Sequence, residues 1–264
     1  VPEEVRPLII AFNEMMARLE ENLQAQQRFI ADAAHQMRTP LTGLRMQTDL
    51  AMMETDPVQV HRSLIHISQS AERAGHLINQ LLSLARAEAS YEKIYAVERV
   101  DLETLLRAML SDFVPRARQK NIDFGLETTG EPLLIDGNPV LLGELVKNLI
   151  DNAIKYTPEG GCVTVRTIAT ERAILEVEDT GIGVPDVDRE RVFERFYRVL
   201  GSTESGSGLG LPIVREIAEL HRAKVSLIPN PSGKGTIAQV VFPRSRAGEE
   251  APTPEPRTPA EQFP

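Results

Sequence analysis

Residues 31–45 read ADAAHQMRTPLTGLR, and the apolar spacing in this stretch decides the fold of the first third of the chain. Apolar positions alternate in steps of four and three, the spacing of a helix that packs against other helices. This first seam comprises Leu23, Ile30, Ala34, Met37, Leu41 and Leu44. After a break at residues 54–57, a second seam comprises Val60, Leu64, Ile67, Ala71, Ala74, Ile78, Leu81 and Ala85.

Two seamed helices with a short connection predict an antiparallel helical hairpin. A lone hairpin would leave much of its apolar stripe in water. We therefore expect two copies of the chain to pair through the hairpin, as a homodimer built on a four-helix bundle.

His35 lies one position after the seam residue Ala34, roughly 100° around the helix, so it faces outward. Taken alone, an exposed histidine is typical of any protein surface. Pro40 makes this one unusual, because a proline inside a helix costs about 3 kcal/mol and removes the bond to the carbonyl of Gln36. A kink there would let the helix bend beside the histidine, whose neutral imidazole nitrogen is a competent nucleophile.

Three later stretches favour a nucleotide pocket, although each alone is also typical of ordinary structure. NLIDNAIKYTP at 148–158 lies on a predicted helix, 138–156, and places two asparagines on one face. DTGIGVP at 179–185 follows a predicted strand, and its glycines let the backbone approach a base. GSGLGL at 206–211 leads into a predicted helix whose N–H groups favour phosphate.

Together and in this order, the four stretches resemble the transmitter core of a sensor histidine kinase of a two-component system, over roughly residues 1–244. The resemblance implies a dimeric, all-α phospho-acceptor hairpin followed by an α+β sandwich ATP-binding domain of the gyrase/MutL/histidine-kinase type. It implies autophosphorylation of His35 from ATP and Mg²⁺. The phosphoryl group would then pass to an aspartate on a response regulator receiver domain.

The resemblance also assigns the site residues. Asn152 is expected to ligate Mg²⁺ through its amide oxygen, with Glu144 a weaker candidate. Asp179 is expected to accept the adenine amine, and Arg198, rather than Arg195, to reach the γ-phosphate. Phe193 and Phe196 are expected to form the hinge of a lid. The nucleotide-binding set comprises Asn148, Asn152, Lys155, Tyr156, Asp179, Gly181, Gly183, Gly206, Gly208, Leu209 and Gly210.

The chain departs from the commonest family pattern directly after the histidine. Many relatives carry Glu or Asp there, and this chain has Gln36. An amide oxygen can accept the imidazole N–H bond but cannot take a proton. We therefore expect a slow but working kinase. Thr39 matches the position at which family members orient water for phosphatase activity toward their partner. The replacement of an acid by Gln36 affects this second activity as well.

Composition narrows the choice of partners and compartment. A formal net charge of −9 with no basic stretch argues against nucleic acid. The single cysteine, Cys162, excludes an internal disulfide, suits a reducing cytoplasm and is expected to be a buried strand residue. No apolar run approaches the roughly 20 residues that span a bilayer. We expect the cytoplasmic portion of a bacterial inner-membrane sensor, attached to the membrane by segments outside this chain.

Four segments are predicted: a linker helix at 1–28, the phospho-acceptor domain at 29–90, the ATP-binding domain at 97–244 and a disordered tail at 245–264. Strands are expected at 97–102, 122–127, 133–136, 162–169, 173–179, 224–229 and 236–242. Helices are expected from Asp101 to about residue 120, and at 138–156 and 211–222. The segment Gly233–Thr236 is expected to be structural.

Two other functions remain open from sequence. A related ATPase of the gyrase and MutL superfamily would share the pocket but lack the hairpin with His35. An ATP-binding dimeric scaffold, or a phosphatase-biased regulator with weak kinase activity, would fit Gln36.

Overall fold

The computed structural model describes residues 6–89, 97–199, 204 and 206–244. The predicted tail at 245–264 lies outside them, as do the first five residues of the predicted linker and parts of the predicted lid. The chain divides into two compact units between Leu82 and Ser83.

The first unit consists of helix α1 (Arg6–Met53) and most of helix α2 (Pro57–Ala89), because the division falls inside α2. The break between them falls at the predicted place. Glu54 Oε1 accepts hydrogen bonds from the next two backbone N–H groups, at 2.9 and 3.1 Å. Asp56 Oδ1 then accepts from Val58 N at 3.0 Å, which caps the first turn of α2.

Large apolar side chains remain exposed along both helices of the single chain. Seam residues Ile30, Leu41, Leu64 and Ile78 are 60, 54, 54 and 42% exposed. Within the described residues, no helix contains an 18-residue stretch apolar enough to cross a bilayer.

The second unit is an α+β fold. Its helices and strands are β1 (Glu98–Asp101), α3 (Leu102–Leu110), α4 (Val114–Gln119), β2 (Asp123–Glu127), β3 (Leu134–Gly137), α5 (Pro139–Tyr156), β4 (Cys162–Ala169), β5 (Arg172–Asp179), α6 (Gly210–Leu220), β6 (Lys224–Pro229) and β7 (Thr236–Pro243). Five strands form a sheet of order β2-β4-β5-β7-β6, in which only β2 and β4 pair in parallel. A separate antiparallel pair joins β1 and β3.

Alternation along the strands separates the two faces of the sheet. Val163, Val165, Leu175, Val177 and Val240 are buried, and α5 contacts β4 and β5 while α6 contacts β6. Helices therefore cover one face, as predicted. Cys162 lies on β4 but is half-buried, so the expectation of a buried cysteine is wrong.

One predicted helix is two helices in the structure. Asp101 caps α3 as predicted, accepting from Glu103 N, but α3 ends at Leu110 and α4 begins at Val114. Pro115 in the first turn of α4 explains the break. A proline has no N–H for the carbonyl four residues earlier, and its ring clashes with that carbonyl.

The partly buried imidazole of His221, directly after α6, connects α6 to the start of α5. Its Nε2 accepts from Asn138 N at 3.0 Å, and its Nδ1 donates to the Ile217 carbonyl at 2.7 Å. A Cβ on Gly137 would lie 2.5 Å from the ring, so only glycine fits there. Burial lowers the pKa of His221 despite the Ile217 bond, which favours the neutral ring.

Candidate nucleotide-binding and phospho-acceptor sites

The two asparagines of α5 face the start of α6. Asn148 is buried, and its Nδ2 donates to the Glu144 carbonyl at 2.8 Å. A Cβ added to Gly210, the first residue of α6, would lie 3.2 Å from Asn152 Nδ2 and 3.3 Å from Asn148 Oδ1. The absence of a side chain at Gly210 therefore keeps these two amides close to the amino end of α6.

Asp179 ends β5 and binds the turn that follows it. Its Oδ1 accepts from Gly181 N at 2.8 Å and from Thr236 N at 3.3 Å. Burial raises the pKa of Asp179 to about 6, against the two backbone hydrogen bonds, with a smaller contribution from the charge of Glu178. A carboxylate held through one oxygen in a partly dry site suits recognition of an amine donor.

The last glycine segment lies directly behind this turn. Buried Asn230 donates from Nδ2 to Glu178 Oε1 and to the Asp179 carbonyl, both at 2.9 Å. Gly235, with φ +97°, lies so close that a Cβ there would overlap the Asp179 carbonyl. A Cβ on Gly183 would in turn lie 3.2 Å from the Gly235 carbonyl oxygen. These contacts support Asp179, in line with the structural role expected of the segment.

Lys155 and Tyr156 lie at the end of α5, beside the third glycine stretch. Lys155 Nζ donates to the Tyr156 hydroxyl at 3.3 Å and lies 4.6 Å from the centre of its ring. A Cβ on Gly206 would overlap Lys155 Nζ. The structure therefore brings together the lysine, the tyrosine and the glycine that the sequence analysis assigned to one pocket.

The third glycine stretch is joined to the segment before it through the backbone. Phe196 N donates to the Gly208 carbonyl at 2.9 Å, and both residues have positive φ, 63° and 72°. A Cβ on Gly208 would lie 2.6 Å from the Phe196 backbone, so a glycine is required. Leu209 is fully buried and anchors the amino end of α6.

The structure shows contacts for Phe193, expected in the hinge of the lid, and for Arg198, expected at the γ-phosphate. Phe193 is buried, and the Arg215 guanidinium lies 4.3 Å from the centre of its ring. The guanidinium of Arg198 is exposed and donates to the Glu204 carbonyl. The roles of Phe193 and Phe196 in a hinge, and of Arg198 at the γ-phosphate, stay predictions.

On α1, His35 and Thr39 are exposed and Gln36 is partly buried. Pro40 lies inside this helix, which continues through it to Met53. Because the seam residues Ala34 and Leu41 are exposed as well, both the outward orientation of His35 relative to the seam and the kink stay predictions.

Two residues that the sequence analysis did not single out support the pocket, Asn230 and Lys120. Thr236, which belongs to the segment expected to be structural, supports Asp179 through its backbone N–H. Lys120 and Asn230 reach partners more than thirty positions away in the sequence. No local pattern marks such contacts. Asn230 stands in an Asn-Pro turn, a weak signal at most.

Two family models match the chain. A histidine kinase-, DNA gyrase B- and HSP90-like ATPase model matches residues 137–246. A His Kinase A phospho-acceptor domain model matches residues 25–90, which include His35. The chain belongs to the sensor histidine kinases. The hairpin-plus-ATPase order of this kinase confirms the fold inferred from sequence and excludes an ATPase without the hairpin.

Known relatives and a solved structure agree with this assignment. Sensor protein QseC of Salmonella typhi is 40% identical to the kinase over 227 residues, which are 86% of this chain and 50% of QseC. Sensor protein kinase PmrB of Pseudomonas aeruginosa is 38% identical over 256 residues, 96% of this chain and 53% of PmrB. The chain spans about half the length of these curated relatives.

Full-length ShkA, solved in complex with AMPPNP, superposes with a TM-score of 0.61 at 28% identity. The match covers 81% of this chain and 45% of ShkA.

Proposed function

We propose that this chain is an ATP-dependent protein-histidine kinase that phosphorylates His35 and passes the phosphoryl group to an aspartate of a response regulator receiver domain. The single observation that carries the proposal is an exposed histidine on a phospho-acceptor helix in the same chain as an ATPase fold. In the first step a bond forms between an imidazole nitrogen and the γ-phosphorus, the bond to the bridging oxygen breaks, and ADP leaves.

The pocket residues fit ATP. Asp179 offers an acceptor for the adenine amine. A Cβ on Gly181 would meet the Tyr156 carbonyl at 2.6 Å, so the glycine lets the turn after Asp179 pack closely against the end of α5. Lys155 supplies a cation near Gly206, at the expected triphosphate side. The uncapped amino end of α6 supplies N–H groups.

Asn152 and Asn148 fit Mg²⁺ as amide-oxygen ligand and supporting contact. Mg²⁺ prefers oxygen ligands and keeps waters and phosphate oxygens for the rest of its shell. When bound, the ion would neutralise charge on the transferred phosphate. Arg198 is proposed to reach the γ-phosphate after leaving its contact with the Glu204 carbonyl.

The chemistry at His35 depends on its neighbour. Gln36 can accept the N–H bond of one ring nitrogen and thereby leave the other as the nucleophile. It cannot remove the proton that phosphorylation releases, so that proton must pass to solvent. Positioning and charge neutralisation supply most of the rate in phosphoryl transfer. A slow kinase is therefore the expected result.

The test is incubation of the chain with Mg²⁺ and γ-labelled ATP, alongside His35→Ala. We expect label that is stable to alkali, labile to acid and absent from His35→Ala. The matched control is His61→Ala, an exposed histidine on α2, which should leave labelling unchanged. Label that survives in His35→Ala would contradict the assignment of the acceptor.

An ATP-binding scaffold, or a phosphatase-biased regulator, is the second candidate, and Gln36 is the observation that favours it. Gln36→Glu separates the two candidates. A general base typically contributes about 10²–10⁴-fold, so a working kinase should gain rate when the carboxylate is restored. Tight nucleotide binding with no label in either protein would instead support the scaffold.

We also propose a homodimer through the hairpin and attachment to the inner membrane through segments outside this chain. The exposed seam residues of α1 and α2 support the dimer. The curated relatives are described as sensor proteins and are about twice as long as the matched region, which supports additional sensing segments.

A further inference from the structure

One lysine side chain holds the carboxyl end of α5. Lys120, directly after α4, donates from Nζ to the carbonyl oxygens of Ile154, Lys155 and Thr157 at 3.2, 2.8 and 3.2 Å. An ammonium group has three donors, so these bonds use its full donor capacity. The partners lie on the segment that carries two of the expected nucleotide contacts.

These bonds provide partners for carbonyl groups at the end of the helix. The last four carbonyls of an α-helix have no partner within it. The Ala153 carbonyl accepts from Thr157 N at 3.0 Å and from Thr157 Oγ1 at 2.7 Å. Lys120 donates to the next two carbonyls, those of Ile154 and Lys155. The Tyr156 carbonyl faces the turn after Asp179, where a Cβ on Gly181 would lie 2.6 Å from it.

We propose that Lys120 is a positioning residue for nucleotide binding, which holds Lys155 against Gly206 and the Tyr156 carbonyl against Gly181 in the turn after Asp179. The inference rests on the proposed function of this pocket. A cation is favoured at a helix carboxyl end, where the backbone dipoles leave partial negative charge, and charge-assisted hydrogen bonds are the stronger kind.

Loss of the ammonium group affects two walls of the pocket at once. Water would replace it at the three carbonyls, and the last turn of α5 would lose its fixed direction. Lys155 Nζ lies against Gly206 on one side, and the Tyr156 carbonyl lies against Gly181 on the other. Both contacts depend on that last turn. The effect should therefore fall on ground-state nucleotide binding, because His35 and its neighbours belong to a different unit.

The experiment compares the full 264-residue chain with Lys120→Met, Lys120→Arg and the control Lys147→Met. Lys147 is an exposed lysine on α5, the helix whose carboxyl end Lys120 contacts. The control therefore removes the same charge and the same type of side chain. Calorimetry gives the Kd for Mg-ADP, and labelling of His35 against ATP concentration gives KM and kcat. Thermal unfolding establishes that each variant is folded.

We expect Lys120→Met to weaken Mg-ADP binding and raise KM by about tenfold, since loss of charged hydrogen bonds is felt on that scale. Its kcat should stay within about twofold, because the residues proposed to act at Mg²⁺ and at the γ-phosphate, Asn152 and Arg198, lie outside the last turn of α5. Lys120→Arg keeps the charge and should recover most of the affinity. Lys147→Met should match the parent chain in every measurement.

An unchanged Kd in folded Lys120→Met overturns the inference, as does a loss confined to kcat. If Lys120→Met does not fold, Lys120→Gln is judged by the same criteria, and failure of both to fold overturns a local positioning role. A parent chain that binds no Mg-ADP defeats the proposed function together with the inference. A parent chain that binds it, with an equal Kd in Lys120→Met, defeats the inference alone.

Discussion

The two units of this kinase differ in how much of their apolar surface a single chain buries. In the α+β unit, Val165 and Leu175 on the sheet are fully buried by helices of the same chain. On α1 and α2, the seam residues Leu41 and Leu64 are each 54% exposed. The ATP-binding unit is thus a closed core within one chain, whereas the helices keep an apolar face that a second chain would cover. Nucleotide binding should therefore be a property of the single chain, and phosphoryl acceptance a property of the pair.

Charged residues on the seam should produce the largest effect of all the changes considered, because they would weaken the proposed dimer and leave the ATP-binding unit unchanged. Leu41→Glu with Leu64→Glu would bury two carboxylates in the proposed bundle, which costs several kcal/mol for each unpaired ion. We expect the dimer dissociation constant to rise by at least about 100-fold. Analytical ultracentrifugation measures it, and Mg-ADP affinity should be unchanged.

Met52→Glu is the control for the seam variant. Met52 is 82% exposed at the end of α1 and lies outside the seam, so its replacement adds charge without entering the proposed interface. It should leave the dimer intact. A dimer of normal affinity in the double seam variant would show that another surface pairs the chains.

Asp179→Asn should affect only the closed unit, with opposite effects on stability and binding. Its pKa in the folded state, about 6, exceeds the ordinary value of 3.8. At pH values between these two, the folded state therefore binds more protons than the unfolded state. The stability contribution is full at low pH and is lost as pH rises through about 6. Asparagine removes that loss, so the variant should be more stable at pH 7.5 by on the order of 1–3 kcal/mol.

Urea unfolding at pH 7.5 and pH 5 checks the sign, because the gain should shrink at the lower pH. The same variant should bind Mg-ADP about tenfold more weakly, since its amide lacks the charge that attracts the adenine amine. Its dimer dissociation constant should equal that of the parent chain. A variant that is less stable at both pH values would show that the carboxylate holds the Gly181 turn better than an amide can.

Sequence was most informative where the signal is local. The spacing of Asn148 and Asn152 and the glycines after Asp179 predicted one pocket. The structure places the two asparagines beside Gly210 and places Gly181 beside Tyr156, at the end of the same helix. Long-range contacts were missed: Asn230 reaches the Asp179 carbonyl from 51 positions away. The break between α3 and α4 was missed for another reason. Pro115 carries that signal in the sequence, but the sequence analysis extended one helix through it to about residue 120.

His221 provides the smallest expected effect and a pH profile opposite in sign to that of Asp179. Burial lowers the pKa of His221, so as pH falls the unfolded state binds more protons than the folded state. The contribution of His221 to folding stability is therefore present above the pKa of the unfolded state, near 6.5, and is lost as pH falls below it. Protonation would also place a donor opposite Asn138 N, breaking a bond worth about 1 kcal/mol. Because the two contributions oppose each other, the pH dependence of the parent chain should be shallow.

The Asp179→Asn background isolates the histidine, and urea unfolding from pH 7.5 to pH 5 should then show falling stability. Adding His221→Gln should flatten that fall, since an amide does not titrate in this range. His61, exposed on α2, gives the matched control, and His61→Gln should leave the profile unchanged. An equally steep fall with and without His221 would place the pH sensitivity in the helices, and the closed unit would then not be the part of the kinase that senses acid.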